Sequence, residues 1–299
     1  MTSGIAVVIA TLNRPEHLAG VLRDLYHQAP EDLEVLVVDQ SPLEVAEQVD
    51  LFVNALEDSR FRYAFTKQRS LPNARNIGIR GTRAPIILFL DDDVRLLPGL
   101  IEAHRDAYAD AQVGGVVGRI IERQVLPNAR PGVNRVGFGG RVITNLSGRE
   151  RKQVEALKGA NMSVRREVLE HVGGFDRNYR GTALLEDADI AERIRSAGWT
   201  VWFEPKAEIV HLSAPEGGVR QPDAVRTELW RFHNTAYFMR RHRGALSRPA
   251  LLVTFVAIAV IRAVRWRRPS ALWQLMRALG EGWRLAGDPP GIDTPRPPA

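Results

Sequence analysis

The sequence predicts an α/β protein in which a parallel sheet is covered by helices, followed by a helical C-terminal extension. β-branched runs of strand length occupy residues 5–10 and 34–39, and the segment 17–28 between them has apolar residues at helical spacing. Two further apolar runs, 61–65 and 86–90, are also predicted strands. Alternating strands and helices favour a parallel sheet with helices on both faces, because crossover connections place them there.

The segment between the third and fourth predicted strands contains a helical turn. Its sequence is LPNARNIGIRGTRAP, and Gly81 and Pro85 close it. In a parallel sheet, ligands bind beyond the carboxyl ends of the strands. Asp39 and Asp91 both fall at such ends. Their placement indicates a ligand site at this edge of the sheet.

Beyond the fourth strand the sequence pattern is less regular. Residues 114–160 are rich in glycine and arginine with little periodicity, which predicts short strands and a mobile loop around 132–142. A strand edge and a helix are predicted over 158–176, and a second helix over 186–198. The segment 200–205 is a predicted strand that leads to EIVHLS.

The C-terminal part is helical in its pattern. An amphipathic helix is predicted over 225–244, and the apolar run 249–261 is shorter than the about 20 residues that span a bilayer. A further helix at 270–287 places its apolar residues on one face. These boundaries predict a main domain over 1–243, a basic helical extension over 244–287 and a proline-rich, disordered tail over 288–299.

Positive charge is concentrated near the C-terminus. The formal net charge is +6, and eleven arginines but only three acidic residues lie between Arg240 and the end of the sequence. Such a concentration suits an anionic membrane or phosphate-bearing substrates, and no aromatic-interleaved surface of the kind that binds nucleic acid is visible. The absence of cysteine excludes disulfides and thiolate metal ligands. The segment MTSGIAVVIATLNRP has no basic leader, so we expect the protein to stay inside the cell.

Three adjacent aspartates, Asp91, Asp92 and Asp93, follow the apolar run IILFL. Carboxylates this close repel one another, and each raises the pKa of its neighbours unless a cation compensates. A divalent cation that also binds a diphosphate suits this site, because hard cations take carboxylate and phosphate oxygens. The alternative is a solvated acidic turn, although a buried strand end restricts solvation.

Five segments together resemble a known family. They are VVIATLNRP, VLVVDQS, PNARNIGI, LFLDDDV and LLEDADIAERIRSAGW, and they occur in the order seen in family 2 of the inverting glycosyltransferases. The resemblance covers residues 4–240. It implies the GT-A fold, in which a Rossmann-like nucleotide-binding half is joined to a mixed-sheet acceptor-binding half.

The resemblance implies roles for residues of the nucleotide-binding half. Thr11 and Arg14 are expected near the nucleotide, and Asp39 is expected to accept a hydrogen bond from the base. Arg75 is expected to contact the nucleotide or its phosphates, and Asn76 to shape the pocket. A surface helix charge and a helix-capping residue are the alternatives for these last two.

The resemblance also implies a metal site in the aspartate run. Asp93 is the expected ligand, Asp91 binds the metal or the ribose, and Asp92 belongs to the nucleotide-sugar site, although a triple aspartate allows two registers. His211 matches a histidine that many members place near the metal and the diphosphate. The implied cofactor is Mn²⁺ or Mg²⁺, and an imidazole ligand suits manganese better.

Glu186 and Asp187 match the position of the family's catalytic base. Asp187 is expected to take the proton of the acceptor hydroxyl as its oxygen attacks the anomeric carbon, while Glu186 shapes the acceptor site. Both lie at the start of a predicted helix, whose dipole favours the charged carboxylate. The alternative is that these acids, with Asp189, merely cap the helix.

These features predict an inverting, metal-dependent transfer of a sugar from a nucleotide-sugar donor to a hydroxyl group of a glycan or lipid-linked acceptor. Nucleotidyl transfer is disfavoured, because ATLNRPEHLAG is not the glycine-rich, lysine-bearing loop that it needs. A catalytically inactive GT-A fold that binds a sugar nucleotide or a membrane for assembly is the other alternative.

The basic extension predicts a location. Two amphipathic segments flank RAVRWRRP, and with Trp266, Trp273 and Trp283 they are typical of a peripheral membrane anchor. We therefore expect a cytoplasmic protein that binds the inner face of the cell membrane. A buried core helix, a dimer interface or a solvated basic tail are the alternatives.

Overall fold

A mixed β-sheet organises the computed structural model, which describes residues 4–28, 30–122, 130–214, 216–218 and 223–292. Its strands in chain order are β1 (Ile5–Thr11), β2 (Glu34–Asp39), β3 (Phe61–Phe65), β4 (Ile86–Asp91), β5 (Val94–Leu96) and β6 (Val113–Glu122). After β7 (Val133–Val136) and β8 (Val142–Asn145), which pair only with each other within the described residues, come β9 (Lys152–Gln153), β10 (Asn161–Arg165) and β11 (Thr200–His211).

Helices pack on this sheet and also form the C-terminal part of the chain. In the first half they are α1 (Pro15–Gln28), α2 (Leu43–Asn54), α3 (Leu71–Gly81) and α4 (Leu100–Asp106). In the second half they are α5 (Arg166–Val172), α6 (Glu186–Ser196), α7 (Ala224–Arg243), α8 (Arg248–Arg265) and α9 (Pro269–Leu285).

The sheet is parallel in its first half and mixed in its second. The strand order is β3-β2-β1-β4-β10-β6-β11-β5, and the pairs among β3, β2, β1 and β4 are all parallel. The four strands predicted for the first hundred residues, and their parallel pairing, are therefore confirmed. β10 then runs antiparallel to both β4 and β6, so the second half departs from the purely parallel sheet.

Local sequence explains the helices that pack on the first four strands. The predicted apolar face of α1 is buried, and Ser70 caps the N-terminus of α3, where its side chain accepts a hydrogen bond from the Asn73 amide. Gly78 lets α3 approach the sheet, because a Cβ there would lie 2.2 Å from a methyl carbon of Val8. The predicted helical turn is thus a helix of three turns that lies directly against β1.

The glycine-rich region 114–160 is more regular than its sequence suggests. β6 is a ten-residue strand, and β7 and β8 form a hairpin in place of the predicted mobile loop. Gly114 packs against Trp199, and Gly118 packs against Asn161 and a backbone oxygen, so side chains there would clash. The glycines serve close packing in a strand, which hides the periodicity of two that strands normally show.

The C-terminal helices form a second apolar cluster with residues that precede α6. Phe232 on α7 and Phe255 on α8 meet edge to face, with ring centroids 4.7 Å apart, and Leu275 of α9 is fully buried beside them. The tail is ordered further than predicted, because the Gly291 amide donates to Asp176 and its carbonyl accepts from the Arg177 amide. Residues 293–299 of that tail lie outside the described part.

The segment Ala245–Arg265 corrects the length estimate made from the thirteen-residue apolar run. It has 21 residues, and the mean hydropathy of its most apolar 18-residue stretch is 1.7, so it is long and apolar enough to cross a membrane by length and composition. Only 22% of its most apolar stretch is buried. The alternative of a wholly buried core helix therefore does not describe α8.

Candidate active site

Strand register brings the aspartate run and His211 together. Asp91 is the last residue of β4 and pairs with Ala10 of β1. The short strand β5 pairs with the end of β11, so that His211 lies opposite Val94, the residue after Asp93. His211 also lies opposite Glu122 at the end of β6. The convergence of three strand ends thus builds the site.

Asp91, Asp93 and His211 form a cluster with the geometry of a cation site. One ligand atom from each lies within 4.8 Å of the others. Asp93 Oδ1 is buried without a hydrogen-bond partner among the described residues, and it lies 3.2 Å from His211 Nε2. Two carboxylates and an imidazole suit Mn²⁺ and, less well, Mg²⁺. The residues present therefore fit the predicted cofactor.

The electrostatics of this cluster favour a negative Asp93 beside a positive His211. Burial raises the pKa of Asp93, but His211, Arg14 and the Ala214 amide outweigh burial and lower it to about 2. Burial lowers the pKa of His211, but Asp93 and Glu122 outweigh burial and raise it to about 9. Near neutral pH the positively charged imidazolium of His211 therefore lies next to Asp93, where a bound metal ion would also lie.

Asp92 is buried at the floor of the site and bound by its neighbours. Its carboxylate accepts hydrogen bonds from the Thr11 hydroxyl at 2.8 Å and from Arg14 Nη1 at 2.9 Å, and burial raises its pKa to about 6. It ties the loop after β1 to the aspartate run. In this arrangement the outer two aspartates lie in one cluster with His211, and the middle one does not.

Arg14 joins the aspartate run to the segment after β11. Its Nε donates to the Glu216 carbonyl at 2.7 Å, and its Nη1 lies 3.3 Å from Asp93. Gly217 and Gly218 pack against Arg14, and the Gly218 amide donates to the Leu12 carbonyl. The Gly218 amide is thus bound to the loop after β1.

Asp39 and Asn76 are held by internal contacts. Asp39 is fully buried, and its oxygens accept from the Ser41 amide at 2.8 Å and from the Tyr63 hydroxyl at 3.3 Å. Asn76 donates to the Phe175 carbonyl and accepts from the Phe175 amide, both at 2.8 Å. Neither side chain lines the cleft at the aspartate run, and their predicted roles toward the nucleotide stay predictions.

Arg75 connects the two halves of the site. Its guanidinium is buried, pairs closely with Glu186, donates to the Gly159 carbonyl at 3.2 Å and lies 3.8 Å from Asp91. It is therefore not a surface helix charge. Burial raises the pKa of Glu186, and the adjacent Arg75 guanidinium opposes that rise by stabilising the charged carboxylate. Glu186 Oε2 is buried without a hydrogen-bond partner among the described residues.

Asp187 lies in the first turn of helix α6, directly after a strained turn of the backbone. Ala183 and Leu185 precede it and have backbone φ angles of 52° and 74°, values that residues other than glycine seldom adopt. Asp187 Oδ2 accepts from the Gly159 amide at 3.1 Å, and Oδ1 accepts from the Ala188 amide. The strained turn directs a half-buried carboxylate toward a cleft, which is more than helix capping requires.

Two clefts meet at the aspartate run. The first is lined by Thr11, Arg14, Gln40, Asp91, Asp92, Asp93 and His211. The second is lined by Arg75, Asp91, Glu186, Asp187 and residues of the β7–β8 hairpin. Leu71 and Asp91 line both clefts. A molecule bound across Asp91 therefore reaches from the predicted metal ligands to Asp187.

Three contributors to the site were not predicted from the sequence. Glu122 contacts His211, with 3.5 Å between Oε1 and Nδ1, and Gly159 touches both Arg75 and Asp187. Asn134 of the hairpin lines the second cleft. All three residues lie within 114–160, the region where glycine and arginine hide the strand pattern, although Glu122 is the last residue of strand β6.

Solved structures place this fold in a class. The chain is similar to GalNAc-T7 with UDP, GalNAc and Mn²⁺, with a TM-score of 0.65, 15% identity and coverage of 80% of this chain and 48% of that one. It is also similar to the mannosyltransferase PcManGT from Pyrobaculum calidifontis in complex with GDP-Man and Mn²⁺, with a TM-score of 0.59, 18% identity and coverage of 97% and 76%. The fold is GT-A, as predicted, with a helical C-terminal part.

The sequence comparison gives the family. Residues 6–173 match the family described as glycosyl transferase family 2, and the chain belongs to it. The N-acetylglucosaminyl-diphospho-decaprenol L-rhamnosyltransferase of Mycobacterium tuberculosis is 25% identical over 283 residues, which cover 82% of this chain and 87% of that protein. The validoxylamine A glucosyltransferase of Streptomyces hygroscopicus subsp. limoneus is 35% identical over 118 residues, 38% of this chain and 25% of that protein.

Proposed function

We propose that this glycosyltransferase carries out an inverting, metal-dependent transfer of a sugar from a nucleotide-sugar donor to a hydroxyl group. The observation that carries the proposal is the position of Asp91 in both clefts, between the cluster with His211 and the cleft with Asp187. A donor that spans this junction has its diphosphate at the first cleft and its sugar at the second. The acceptor then enters the second cleft.

Asp91, Asp93 and His211 are the residues that would hold the cation. A divalent ion bound there supplies positive charge that neutralises the leaving diphosphate. The chain itself brings further positive charge to this end of the donor through Arg14 and Arg75. Because Arg75 is fully buried and tied to Glu186, it is fixed in orientation before any ligand binds.

Asp187 is the proposed general base. As the acceptor oxygen forms a bond to the anomeric carbon, the bond from that carbon to the phosphate oxygen breaks, and the diphosphate leaves with the electron pair. The acceptor's proton passes to Asp187, whose amide contacts from Gly159 and Ala188 orient the carboxylate. Attack from the side opposite the leaving group inverts the anomeric configuration.

A lipid-linked acceptor is the narrower proposal. The name of the mycobacterial relative describes an L-rhamnosyltransferase acting on N-acetylglucosaminyl-diphospho-decaprenol, and that relative aligns over most of both chains. We extend the acceptor class, a glycan carried on a lipid diphosphate, to this protein. The donor sugar is a separate question, because the two clefts do not specify its hydroxyl pattern.

Ligand binding and turnover together test the proposal. A thermal-shift screen of UDP-, GDP- and dTDP-sugars with Mn²⁺ identifies the donor, because a ligand of the folded state raises the melting temperature. Release of nucleoside diphosphate is then measured for the parent, for Asp187→Asn and for a control, Glu170→Gln, on the exposed side of α5. We expect Asp187→Asn to keep the thermal shift and to lose about a hundredfold or more in release. Equal release by all three proteins contradicts the base role, and binding without release by the parent favours the inactive binding module.

A further inference from the structure

One face of helix α8 is apolar and exposed along its length. This outer face consists of Val253, Val256, Ala257, Val260, Ile261 and Val264, which recur at the spacing of a single helical stripe. Val253, Ile261 and Val264 are 75%, 62% and 72% exposed. No charged or polar residue interrupts the stripe. A contiguous apolar surface of this kind marks an interaction site.

The opposite face of α8 is fixed to the folded body. Leu251, Phe255 and Ala259 are buried against the neighbouring helices, and Arg262 pairs with Glu228 of α7 at 3.1 Å. A helix that is apolar on all sides belongs in a core or in a membrane. Only about half of the circumference of α8 is buried against the core. We therefore expect its exposed apolar face to contact another apolar partner.

The surrounding charge identifies that partner. The segment 229–280 contains ten arginines and no aspartate or glutamate. Arg265, Arg267 and Arg268, at the C-terminal end of α8, are exposed, and none of them has an acidic partner among the described residues. Arginines beside an apolar stripe complement a bilayer whose surface carries anionic headgroups. A second copy of the chain presents the same positive charge and is the less favourable occupant.

The β7–β8 hairpin extends the outer face toward the active site. Phe138 at its tip is 86% exposed. The adjacent Gly139, with φ of +72°, packs so closely on α8 that a Cβ would lie 2.4 Å from Thr254 Oγ1. The strands of this hairpin line the second cleft with Asn134, Val136 and Thr144. A surface in contact with Phe138 and α8 is therefore adjacent to the hairpin that borders Asp187.

We propose that the outer face of α8, together with Phe138, docks on an anionic membrane surface with the helix lying in the plane of the interface. The buried ring of Phe255 and the ion pair of Arg262 with Glu228 hold α8 on the folded body, so the helix lies on the bilayer and does not cross it. The docking places the second cleft next to the bilayer. This inference rests on the exposed stripe and the arginines, and it is independent of the proposed transfer reaction.

Flotation of the full chain with lipid vesicles tests the docking. We expect binding to vesicles that contain phosphatidylglycerol and much weaker binding to pure phosphatidylcholine. Replacing Arg265, Arg267 and Arg268 by glutamine is expected to weaken binding to the anionic vesicles by roughly fivefold per arginine. The Val260→Gln/Ile261→Gln variant is expected to lose about tenfold or more, because it removes two apolar side chains from the contact.

A matched control distinguishes vesicle binding through the outer face from nonspecific hydrophobic binding. Leu51→Gln removes an exposed apolar side chain, 70% accessible, from α2 in the nucleotide-binding half, and is expected to bind like the parent. All the substituted side chains are exposed, so the melting temperatures of the variants should match the parent's. Absence of flotation by the parent, or equal loss in Leu51→Gln and Val260→Gln/Ile261→Gln, overturns the proposal.

Two further measurements exclude the other occupants of this face. Sedimentation velocity that shows a dimer which Val260→Gln/Ile261→Gln dissociates, without vesicle binding, identifies a second copy and contradicts membrane docking. Alkaline carbonate extraction of membranes from cells that express the full chain is expected to release the protein. Retention after extraction shows a spanning helix and contradicts the in-plane arrangement.

Discussion

Arg75 on α3 forms a fully buried ion pair with Glu186 on α6, 111 positions later in the chain. The pair joins the helix that packs on β1 to the helix that carries the proposed general base. Arg75 also lies 3.8 Å from Asp91, so one guanidinium connects the aspartate run with the second cleft. This buried contact fixes the position of the two clefts relative to each other.

Removing one residue of this ion pair is expected to lower the free energy of unfolding substantially. Arg75→Ala leaves Glu186 buried without its cation, and we expect a loss of about 3–5 kcal/mol in the free energy of unfolding. The control Arg62→Ala breaks the exposed pair with Glu34 and is expected to cost about 1 kcal/mol or less. Urea unfolding measures both. Similar losses for the two variants contradict the role assigned to the buried pair.

Metal binding is expected to release a proton from His211. The pKa of about 9 means that the imidazole is protonated at neutral pH, whereas a histidine that binds a metal must have a neutral ring. Calorimetry of Mn²⁺ binding in buffers of different ionisation enthalpy is therefore expected to show release of about one proton near neutral pH. His211→Asn should bind more weakly and release none, and the exposed His171→Asn should match the parent. Proton release that survives in His211→Asn excludes this residue as the source.

Stability is expected to fall in mild acid because of His104. Burial lowers the pKa of His104 to about 4, below that of the unfolded chain near 6.5. Its Nδ1 accepts from the Ser163 hydroxyl and its Nε2 donates to Asn161 Oδ1, both at 2.8 Å, so the folded state holds the neutral ring. The stabilisation is present above the unfolded pKa and is lost as pH falls toward the folded pKa, by about 3 kcal/mol in total.

Denaturant unfolding across that pH range checks the assignment. The parent should lose stability steadily between about pH 6.5 and about pH 4. His104→Gln should be less stable at neutral pH, because it disturbs the buried hydrogen bonds, but should lose less on acidification. A parent and a variant with the same pH slope would place the acid sensitivity elsewhere.

Two helical glycines should respond oppositely to alanine. Gly78→Ala forces a Cβ into Val8, and we expect it to destabilise by about 1–3 kcal/mol. Gly20 of α1 has nothing within 4 Å of the added atom, so Gly20→Ala should stabilise by about 0.5–1 kcal/mol through helix propensity. The melting temperatures of the two variants, each compared with that of the parent, test this prediction. Shifts of the same sign contradict the close approach of α3 to β1.

The first half of the fold was predictable because its strands are short β-branched runs with helical segments between them. The second half was less so. In β6 and the hairpin, glycines needed for close packing remove the alternation that indicates a strand. β11 runs through Pro205, where its register against β6 shifts, so one twelve-residue strand looked like two segments. Helix α2 was missed altogether.

The candidate site shows the same division. The aspartate run was identified from its place after an apolar strand and His211 from the family resemblance, and the structure brings Asp91, Asp93 and His211 into one cluster. The partner of Arg75 was not predictable, because Arg75 and Glu186 are 111 positions apart and only the tertiary fold joins them. Asp39 was placed at a strand end correctly, but its internal contacts with Ser41 and Tyr63 depend on burial that the local sequence does not reveal.

Calorimetric titration of a nucleoside diphosphate is the most direct test of the cation site at the junction of the two clefts. With Mn²⁺ present, we expect the parent to bind tightly, and we expect chelation of the metal to abolish most of that affinity. The Asp91→Asn/Asp93→Asn variant should show the weak binding of the chelated parent in either condition. Affinity that neither the chelator nor this double substitution alters would contradict the account.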